Sequence, residues 1–323
     1  MAEDSRGKAP APRPQDRSGR SSQAHSRYSA RLIALLALLL ALAVAAGAWV
    51  VNRVSAPAAP TSRSSMAAAP APFQPQASKA QYQALQAVEH KPSKANAQGT
   101  FVVCKNGVGT TIASVPTVEV YMDFLCGGCG ELHQALDPTL IKMVRAGQIN
   151  LGFNSMDFLD RLRQDQYSSR VASAVASVAQ EDPDHFLDAV AHFFQKDIQP
   201  SESNPEPISN DQLAQELKSV GVPQKVAQQA ASGEYIDWVQ KLNAYTVTRS
   251  ELRHPSGSQQ GEMTTPTVLI NNSYWDSDQV SARVGADGLP EALCQALGLP
   301  VKQVGVPSAV PQIGSRYRPL TQA

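Results

Sequence analysis

The longest apolar stretch of the chain lies near its start. Residues 32–51 read LIALLALLLALAVAAGAWVV and contain no charged side chain. As a helix rising 1.5 Å per residue, a segment of this length crosses the roughly 30 Å hydrocarbon core of a bilayer. Residues 1–31 carry seven Lys or Arg against three Asp or Glu, a net charge of +4. The positive-inside rule therefore predicts a single-pass membrane helix with a cytoplasmic N-terminus and an extracytoplasmic remainder.

A cleaved signal peptide is the alternative to a membrane anchor. Small residues at 46–48 would suit a signal peptidase. The apolar run is longer than the 7–15 residues usual for a signal peptide, which favours the anchor. Both alternatives export the downstream chain, and all four cysteines lie in that exported part, where disulfides persist.

Segments rich in small and polar residues flank the part of the chain with a regular apolar pattern. The linker is rich in Ala, Pro, Ser and Gln, and within it Tyr82 and Leu85 would share one face of a short helix. The predicted divisions are a disordered basic tail at 1–31, a transmembrane helix at 32–51, a linker at 52–98, a folded domain at 99–303 and a flexible C-terminal tail at 304–323.

The folded part alternates between strand and helix patterns. A helix predicted at 128–146 contains Pro138, which should kink or split it. From about 165 to 255 apolar residues recur at helical spacing, and the last helix starts near Pro290. Strands are predicted at 100–104, 110–114, 118–124, 148–154, 267–271 and 273–275. This order predicts an α/β fold, in which a helical insertion interrupts a small mixed sheet.

Composition narrows the function classes. Of 323 residues, 42% are hydrophobic, enough for a buried core. Lys plus Arg and Asp plus Glu number 28 each, and this zero net charge argues against a nucleic-acid-binding protein. Four cysteines are too few for a small scaffold built on disulfides.

The motif best suited to a chemical reaction is Cys126-Gly127-Gly128-Cys129. It lies where a predicted strand ends and a predicted helix begins. A helix N-terminus offers unpaired N–H groups and partial positive charge, which stabilise a thiolate and lower the pKa of Cys126. Cys129, one turn into the helix, would be more buried. The spacing lets Cys126 react with a partner thiol and Cys129 resolve the mixed disulfide.

These residues resemble the DsbA-like thiol-disulfide oxidoreductases of the thioredoxin superfamily. The resemblance rests on the segment 118–129, on the helical block, and on Thr265-Pro266-Thr267 ahead of an apolar strand, and it covers about 99–303. It implies a thioredoxin-like fold whose helical insertion lies between the β-α-β unit and the proline strand. It also implies a cis Pro266 beside the cysteines, with the backbone of Thr265 pairing with a bound substrate.

The activity implied by this resemblance is oxidation of thiols in newly exported proteins. The redox-active Cys126–Cys129 disulfide would be the only redox group, without cofactor or metal. Thr265, Pro266, Gly127 and Gly128 would form the substrate groove. Unfolded cysteine-containing proteins would be the substrates, and a membrane reoxidase of the DsbB or VKOR type would accept the electrons. We expect a monomer, because the spacer contains no dimerisation segment.

Two departures from the family pattern affect how the thiolate is tuned. Many members place a buried carboxylate six residues before the first cysteine, where this chain has Val120. Glu119 is one residue away, and strand alternation turns it to the opposite face. Asp123 lies three residues before Cys126, and we interpret both carboxylates as tuning charges at most. The Gly-Gly spacer contains no histidine, so the motif does not define the redox potential.

The other two cysteines are Cys104, on the opening hairpin, and Cys294, in the last helix. The resemblance implies that both ends of the domain pack on one sheet, so a structural disulfide between them is predicted. It would contribute about 2–4 kcal/mol. Two buried free thiols are the alternative.

Other functions remain open on the sequence alone. A zinc site at Cys126, Cys129 and His133 would need further ligands, and no second cysteine pair completes it. His133 is instead expected on the helix surface. A structural disulfide, a reductase or isomerase of the same fold, and a non-catalytic polypeptide-binding domain are the remaining alternatives.

Overall fold

A computed structural model of the chain describes residues 79–204 and 206–322. The strands are β1 (Phe101–Cys104), β2 (Gly107–Val108), β3 (Thr117–Asp123), β4 (Asn150–Met156), β5 (Thr267–Ile270) and β6 (Ser273–Trp275). The helices are α1 (Lys79–Gln86), α2 (Gly127–Ala146), α3 (Tyr167–Glu181), α4 (Phe186–Phe193), α5 (Asn210–Ser219), α6 (Gln224–Ala230), α7 (Ile236–Thr246), α8 (Ser277–Val284) and α9 (Leu289–Leu297). Short 3₁₀ helices occupy Phe158–Leu162, Pro183–His185, Ser250–Leu252, Ala286–Gly288 and Val301–Gln303.

The strands form one mixed sheet in the order β2-β1-β4-β3-β5-β6. β3 and β4 are parallel and are joined by α2, which makes the predicted β-α-β unit. All the other pairings in the sheet are antiparallel. Five helices, α3 to α7, lie between β4 and β5. The predicted α/β class and helical insertion are confirmed.

β3 is central and buried on both faces. Val118, Val120 and Met122 lie in the main core, and Tyr121 packs on the opposite side in a small cluster with Leu252. Because alternate residues of a strand face opposite ways, a strand covered on both sides reads as a nearly continuous apolar run. Burial of β3 fixes the position at which the chain leaves the sheet for the cysteine motif.

Helix α2 runs without a break across Pro138. The predicted split is wrong, although proline removes one backbone hydrogen bond. Leu136 and Leu140, on either side of it, are both buried in the core. This packing outweighs the loss of one bond. The helix ends at Gly147, whose φ of 72° is the left-handed conformation that favours glycine.

The folded part begins earlier than the predicted boundary at residue 99. Leu85 on α1 is buried, and the ring of Tyr82 lies 5.3 Å from that of Tyr245 on α7. The helix suggested by Tyr82 and Leu85 therefore exists and packs on the domain. Residues 79–98 belong to the folded domain rather than to the linker.

The segment after residue 303 also packs on the domain, which corrects the prediction of a flexible tail. The Gln148 side-chain amide donates hydrogen bonds to three main-chain carbonyls at 2.8–3.1 Å. The Asn271 amide donates to two more, and Ile313 is completely buried. Buried amide side chains anchor this segment, and the apolar pattern of the sequence does not reveal them.

The predicted tail at 1–31, the membrane span at 32–51 and most of the predicted linker lie outside the described residues. Within 79–204 and 206–322, none of the helices combines the length and apolar character needed to cross a bilayer.

Candidate functional site

The two motif cysteines occupy different environments at the start of α2. Cys126 is the N-cap residue, with extended backbone angles, and 9% of its surface is exposed. Cys129 lies one turn into the helix and is completely buried. Both are free thiols in this structure. Only Cys126 can therefore be reached by another protein, as the motif predicts.

The neighbours of Cys126 favour its thiolate. The hydrogen bond from the Cys129 thiol, supported by the Cys129 backbone N–H and by Thr265, lowers the pKa of Cys126 to about 7. Burial and the negative charge of Asp123 oppose this shift. A pKa near neutrality leaves a large fraction of Cys126 as the nucleophilic form at physiological pH.

Cys129 is shifted in the opposite direction. Burial raises the pKa of Cys129 well above its ordinary value, and its hydrogen bond to Cys126 raises it further. Cys126 is therefore the first of the two to ionise, and the Cys129 thiol then donates to its thiolate. This is the asymmetry that a nucleophilic and a resolving cysteine require.

A cis peptide bond between Thr265 and Pro266 lies directly beside Cys126. The Cys126 Sγ is 3.4 Å from the carbonyl oxygen of Thr265. A Cβ built on Gly128 would lie 3.4 Å from Pro266 Cδ and 3.9 Å from Cys126 Sγ. The structure thus brings three of the predicted groove residues together at the reactive sulfur, with Gly127 exposed at the helix start.

A small cavity of about 70 Å³ adjoins this groove. Leu132, Pro266 and Leu289 contribute apolar surface, and Glu131 and Asp278 also line it. A side chain of a bound polypeptide could enter this space next to the reactive sulfur.

Asp123 lies beneath the cysteine pair at the end of β3. Its carboxylate accepts hydrogen bonds from the backbone N–H groups of Leu125 and Leu159 at 2.9 and 3.0 Å, and from the Ser168 hydroxyl. Burial raises the pKa of Asp123 to about 6. Above that pH its charge opposes ionisation of Cys126, so it is placed to tune the thiolate.

Glu119 is in a different part of the domain. It accepts a hydrogen bond from the Tyr121 hydroxyl at 2.9 Å, near the ion pair between Arg249 and Glu251. Burial raises the pKa of Glu119. Four residues of extended strand separate it from Asp123 by about 13 Å. The suggestion that Glu119 tunes the cysteines is therefore wrong.

Cys104 and Cys294 are buried and free in this structure, as are Cys126 and Cys129, and the disulfide between them stays a prediction. The Cys104 Sγ lies 3.3 Å from the Thr110 hydroxyl beside the β1–β2 turn. Cys294 lies in α9, where burial raises the pKa of its thiol to about 11.

His133 is buried, which contradicts its expected place on the helix surface. Its ring stacks on Phe194 at 4.0 Å, and its Nδ1 lies 2.9 Å from the Asp137 carboxylate. Across the described ranges, no group of three or more His, Cys, Asp or Glu side chains could hold a metal ion.

Two residues at the site were missed by sequence analysis. Gln199 donates to the main-chain carbonyls of Phe124 and Cys126 at 3.0 and 2.9 Å. Glu202 accepts a hydrogen bond from the Gly127 N–H at 3.0 Å. Both lie in a polar loop about 70 residues downstream, and no local sequence pattern connects them with the motif.

The sequence model of the family described as thioredoxin matches residues 106–286, more than half of the chain. None of the curated proteins matches.

Several solved structures are similar in part. Reduced DsbA from Mycobacterium tuberculosis is 27% identical, with a TM-score of 0.46, over 59% of this chain and 98% of that chain. MdbA, a thiol-disulfide oxidoreductase from Corynebacterium diphtheriae, is 21% identical, with a TM-score of 0.44, over 64% and 96%. Oxidised BdbD from Bacillus subtilis is 20% identical, with a TM-score of 0.42, over 63% and 98%.

The matched residues run from the β1–β2 turn past the cis proline. They therefore include strands β2 to β6, the cysteine motif and the helical insertion, and the predicted thioredoxin-like fold is confirmed. Because the family match covers the complete cysteine site and most of the folded domain, this chain belongs to the thioredoxin family.

Proposed function

We propose that the chain is an extracytoplasmic thiol-disulfide oxidoreductase that introduces disulfides into newly exported proteins. The observation that carries this proposal is the asymmetric pair, an accessible Cys126 with a pKa of about 7 and a buried Cys129 with a raised pKa. The cis Thr265–Pro266 bond beside Cys126 supplies a place for an extended substrate.

The reaction begins with the Cys126–Cys129 disulfide as the oxidant. A substrate thiolate attacks Cys126 Sγ, the internal disulfide breaks, and Cys129 leaves with the electron pair and takes up a proton. A second substrate thiolate then attacks the substrate sulfur of the mixed disulfide, and Cys126 leaves as a thiolate. The substrate gains one disulfide, and the pair gains two electrons as it becomes a dithiol.

The same residues explain why each sulfur has one role. Substrate attack falls on Cys126 because Cys129 is completely buried. Cys126 is also the better leaving group in the second step, because a thiol of lower pKa leaves faster. The Thr265 carbonyl accepts a hydrogen bond from the Cys126 thiol at 3.4 Å. The backbone of Thr265 would also pair with the substrate chain, which brings the substrate next to Cys126.

The proposed setting includes an anchor at 32–51 and a monomeric domain outside the cytoplasm. The electrons taken from substrates pass from the dithiol to a membrane reoxidase of the DsbB or VKOR type. The cysteine pair carries the two electrons itself, so the proposal requires neither a cofactor nor a metal ion.

One observation favours a second candidate, a disulfide reductase or isomerase of the same fold. A nucleophilic pKa of about 7 is close to that of thioredoxin, a reductant, and well above the ~3.5 of a strongly oxidising DsbA. The redox potential of the pair separates the two candidates.

The proposal is tested with a reduced, unfolded protein substrate and the oxidised full-length chain. We expect the wild type to form disulfides in the substrate and Cys126→Ser to form none. Cys129→Ser should also form none, because it cannot make the internal disulfide that acts as the oxidant. Given a disulfide-containing protein instead, reduced Cys129→Ser should accumulate a mixed disulfide at Cys126, because the resolving thiol is gone. Cys294→Ser, which alters a buried thiol in α9, serves as the control and should retain activity.

Two results would contradict the oxidase. If Cys126→Ser still oxidised the substrate, the motif would not be the redox site. If the wild type bound the unfolded protein without oxidising it, and Cys126→Ser bound equally well, the domain would be a polypeptide-binding module.

A further inference from the structure

The loop at 195–204, which follows α4, contacts the turn formed by residues 124–127 at two points. Through one side-chain amide, Gln199 donates to the carbonyls of Phe124 and Cys126. Three residues later, the Glu202 Oε1 accepts from the N–H of Gly127, the first residue of α2. The loop therefore contacts the backbone on both sides of the reactive sulfur.

This contact is built into the domain on both sides of Glu202. The Gln199 backbone N–H donates to the Gln195 carbonyl at 2.8 Å. The Arg163 guanidinium donates to the Asn204 carbonyl at 2.6 Å and is itself paired with Asp165. With residues 199 and 204 both anchored, the carboxylate of Glu202 is held at the helix end.

Gly130 gives independent evidence that the loop belongs there. A Cβ at this position would collide with the Gln199 amide oxygen. A side chain at this position would therefore push the end of the Gln199 side chain away from its present place. The sequence Cys-Gly-Gly-Cys-Gly accommodates the loop as well as the reactive pair.

The position of Glu202 has an electrostatic consequence for the thiolate. The free N–H groups at a helix start favour negative charge, and they add to the thiolate stabilisation that the Cys129 thiol gives. Glu202 takes up one of these N–H groups and adds a negative charge next to Cys126. Like charges disfavour each other's ionised form.

Other groups near Cys126 also influence the stability of its thiolate. The thiol and backbone N–H of Cys129 stabilise the thiolate, and the charge of Asp123 opposes it. Across Gly128, the cavity wall carries Glu131 and Asp278. The charged groups placed around the sulfur by these elements are therefore acidic, and Glu202 is the one bound to the helix start.

We propose that Glu202 is a positioning residue that acts through the Gly127 N–H to weaken the Cys126 thiolate and to make the cysteine pair less oxidising. This inference rests on the proposed redox function. In this proposal, the Glu202 carboxylate reduces the stabilisation that the N-terminus of α2 gives to the Cys126 thiolate.

The test is Glu202→Gln in the full-length chain. Glutamine keeps an oxygen that can accept from Gly127 and removes only the charge. We expect the acid dissociation constant of Cys126 to increase about threefold, as for a surface charge at a helix end. The ultraviolet absorbance of the thiolate measures this constant. In glutathione buffers the equilibrium should shift about twofold toward the dithiol.

Glu206→Gln is the matched control, an exposed glutamate just after the same loop. It should leave both values unchanged. In about 1 M salt, where the Debye length is ~3 Å, the difference between Glu202→Gln and the wild type should shrink. A purely structural role for Glu202 would show no such dependence on salt.

Two outcomes would overturn the inference. One is an unchanged or decreased acid dissociation constant in Glu202→Gln, and the other is an equal effect of Glu206→Gln. Failure of the wild-type pair to exchange with glutathione would instead count against the proposed function. The thiolate titration does not need exchange, so it still decides the role of Glu202.

Discussion

Two cysteines three residues apart differ because one caps a helix and the other lies inside it. Cys126 keeps a small exposed surface and a pKa of about 7, while burial raises the pKa of Cys129. Their mutual hydrogen bond reinforces this difference, since the thiol of Cys129 donates to the thiolate of Cys126. The roles of the two sulfurs therefore follow from their positions.

Asp123 is the residue through which pH should act on this pair. Above its own pKa of about 6 the carboxylate is charged and opposes the Cys126 thiolate. We expect Asp123→Asn to lower the pKa of Cys126 by about half a unit, because a buried like charge is removed. Thiolate absorbance measured against pH reports the shift.

Asp157→Asn is the matched control for this change. Asp157 is also largely buried, and burial together with the charges of Asp160 and Asp123 raises its pKa to about 7. It should not lower the pKa of Cys126. An equal fall in both variants, or none in Asp123→Asn, would show that Asp123 does not tune the thiolate.

At the scale of elements, the β3-α2-β4 unit was predictable because its signals are local. The apolar run of β3, the helical spacing of α2 and Gly147 at its end are all present in the sequence. The outcome at Pro138 was not predictable, since it depends on how tightly Leu136 and Leu140 pack in the core. The contact of Gln199 with the turn depends on tertiary structure in the same way.

Helix α1 illustrates an element that only packing explains. A helix of eight residues is too short to be stable alone in water. Leu85 is 1% exposed and anchors it to the domain. We expect Leu85→Ala to lower the free energy of unfolding by about 2–4 kcal/mol, because it leaves a cavity in the core. Urea unfolding measures this loss.

Gln83→Ala, an exposed change in the same helix, is the control and should be nearly neutral. The redox equilibrium with glutathione should be the same in both variants, because α1 does not contact the cysteine site. If Leu85→Ala were no less stable than Gln83→Ala, helix α1 would not be part of the folded domain in solution.

For the whole molecule, the sequence predicted the fold class and the position of the site but not the limits of the domain. Composition places residues 79–98 in a linker (52–98) rich in Ala, Pro, Ser and Gln, and residues 304–322 in a tail rich in Pro, Ser and Gly. Leu85 and the buried amides of Gln148 and Asn271 attach them to the core. Amino-acid composition does not reveal that a few buried side chains attach a segment to the core.

The disulfide between Cys104 and Cys294 stays a prediction from the resemblance. It depends on the proximity of the two ends of the domain, and a disulfide needs the two Cβ atoms within about 4.5 Å. Both thiols are buried and free in this structure, as are those of Cys126 and Cys129. Cys126 and Cys129 are the redox pair of the proposed function.

The central claim is that this pair exchanges disulfides and acts as an oxidant. The most direct measurement is the equilibrium of the full-length chain with glutathione. The account predicts ready exchange and a reduction potential on the oxidising side of the ~−270 mV of thioredoxin, toward the ~−120 mV of DsbA. A potential at or below that of thioredoxin would contradict the oxidase and favour the reductase, and a pair that failed to exchange would contradict both.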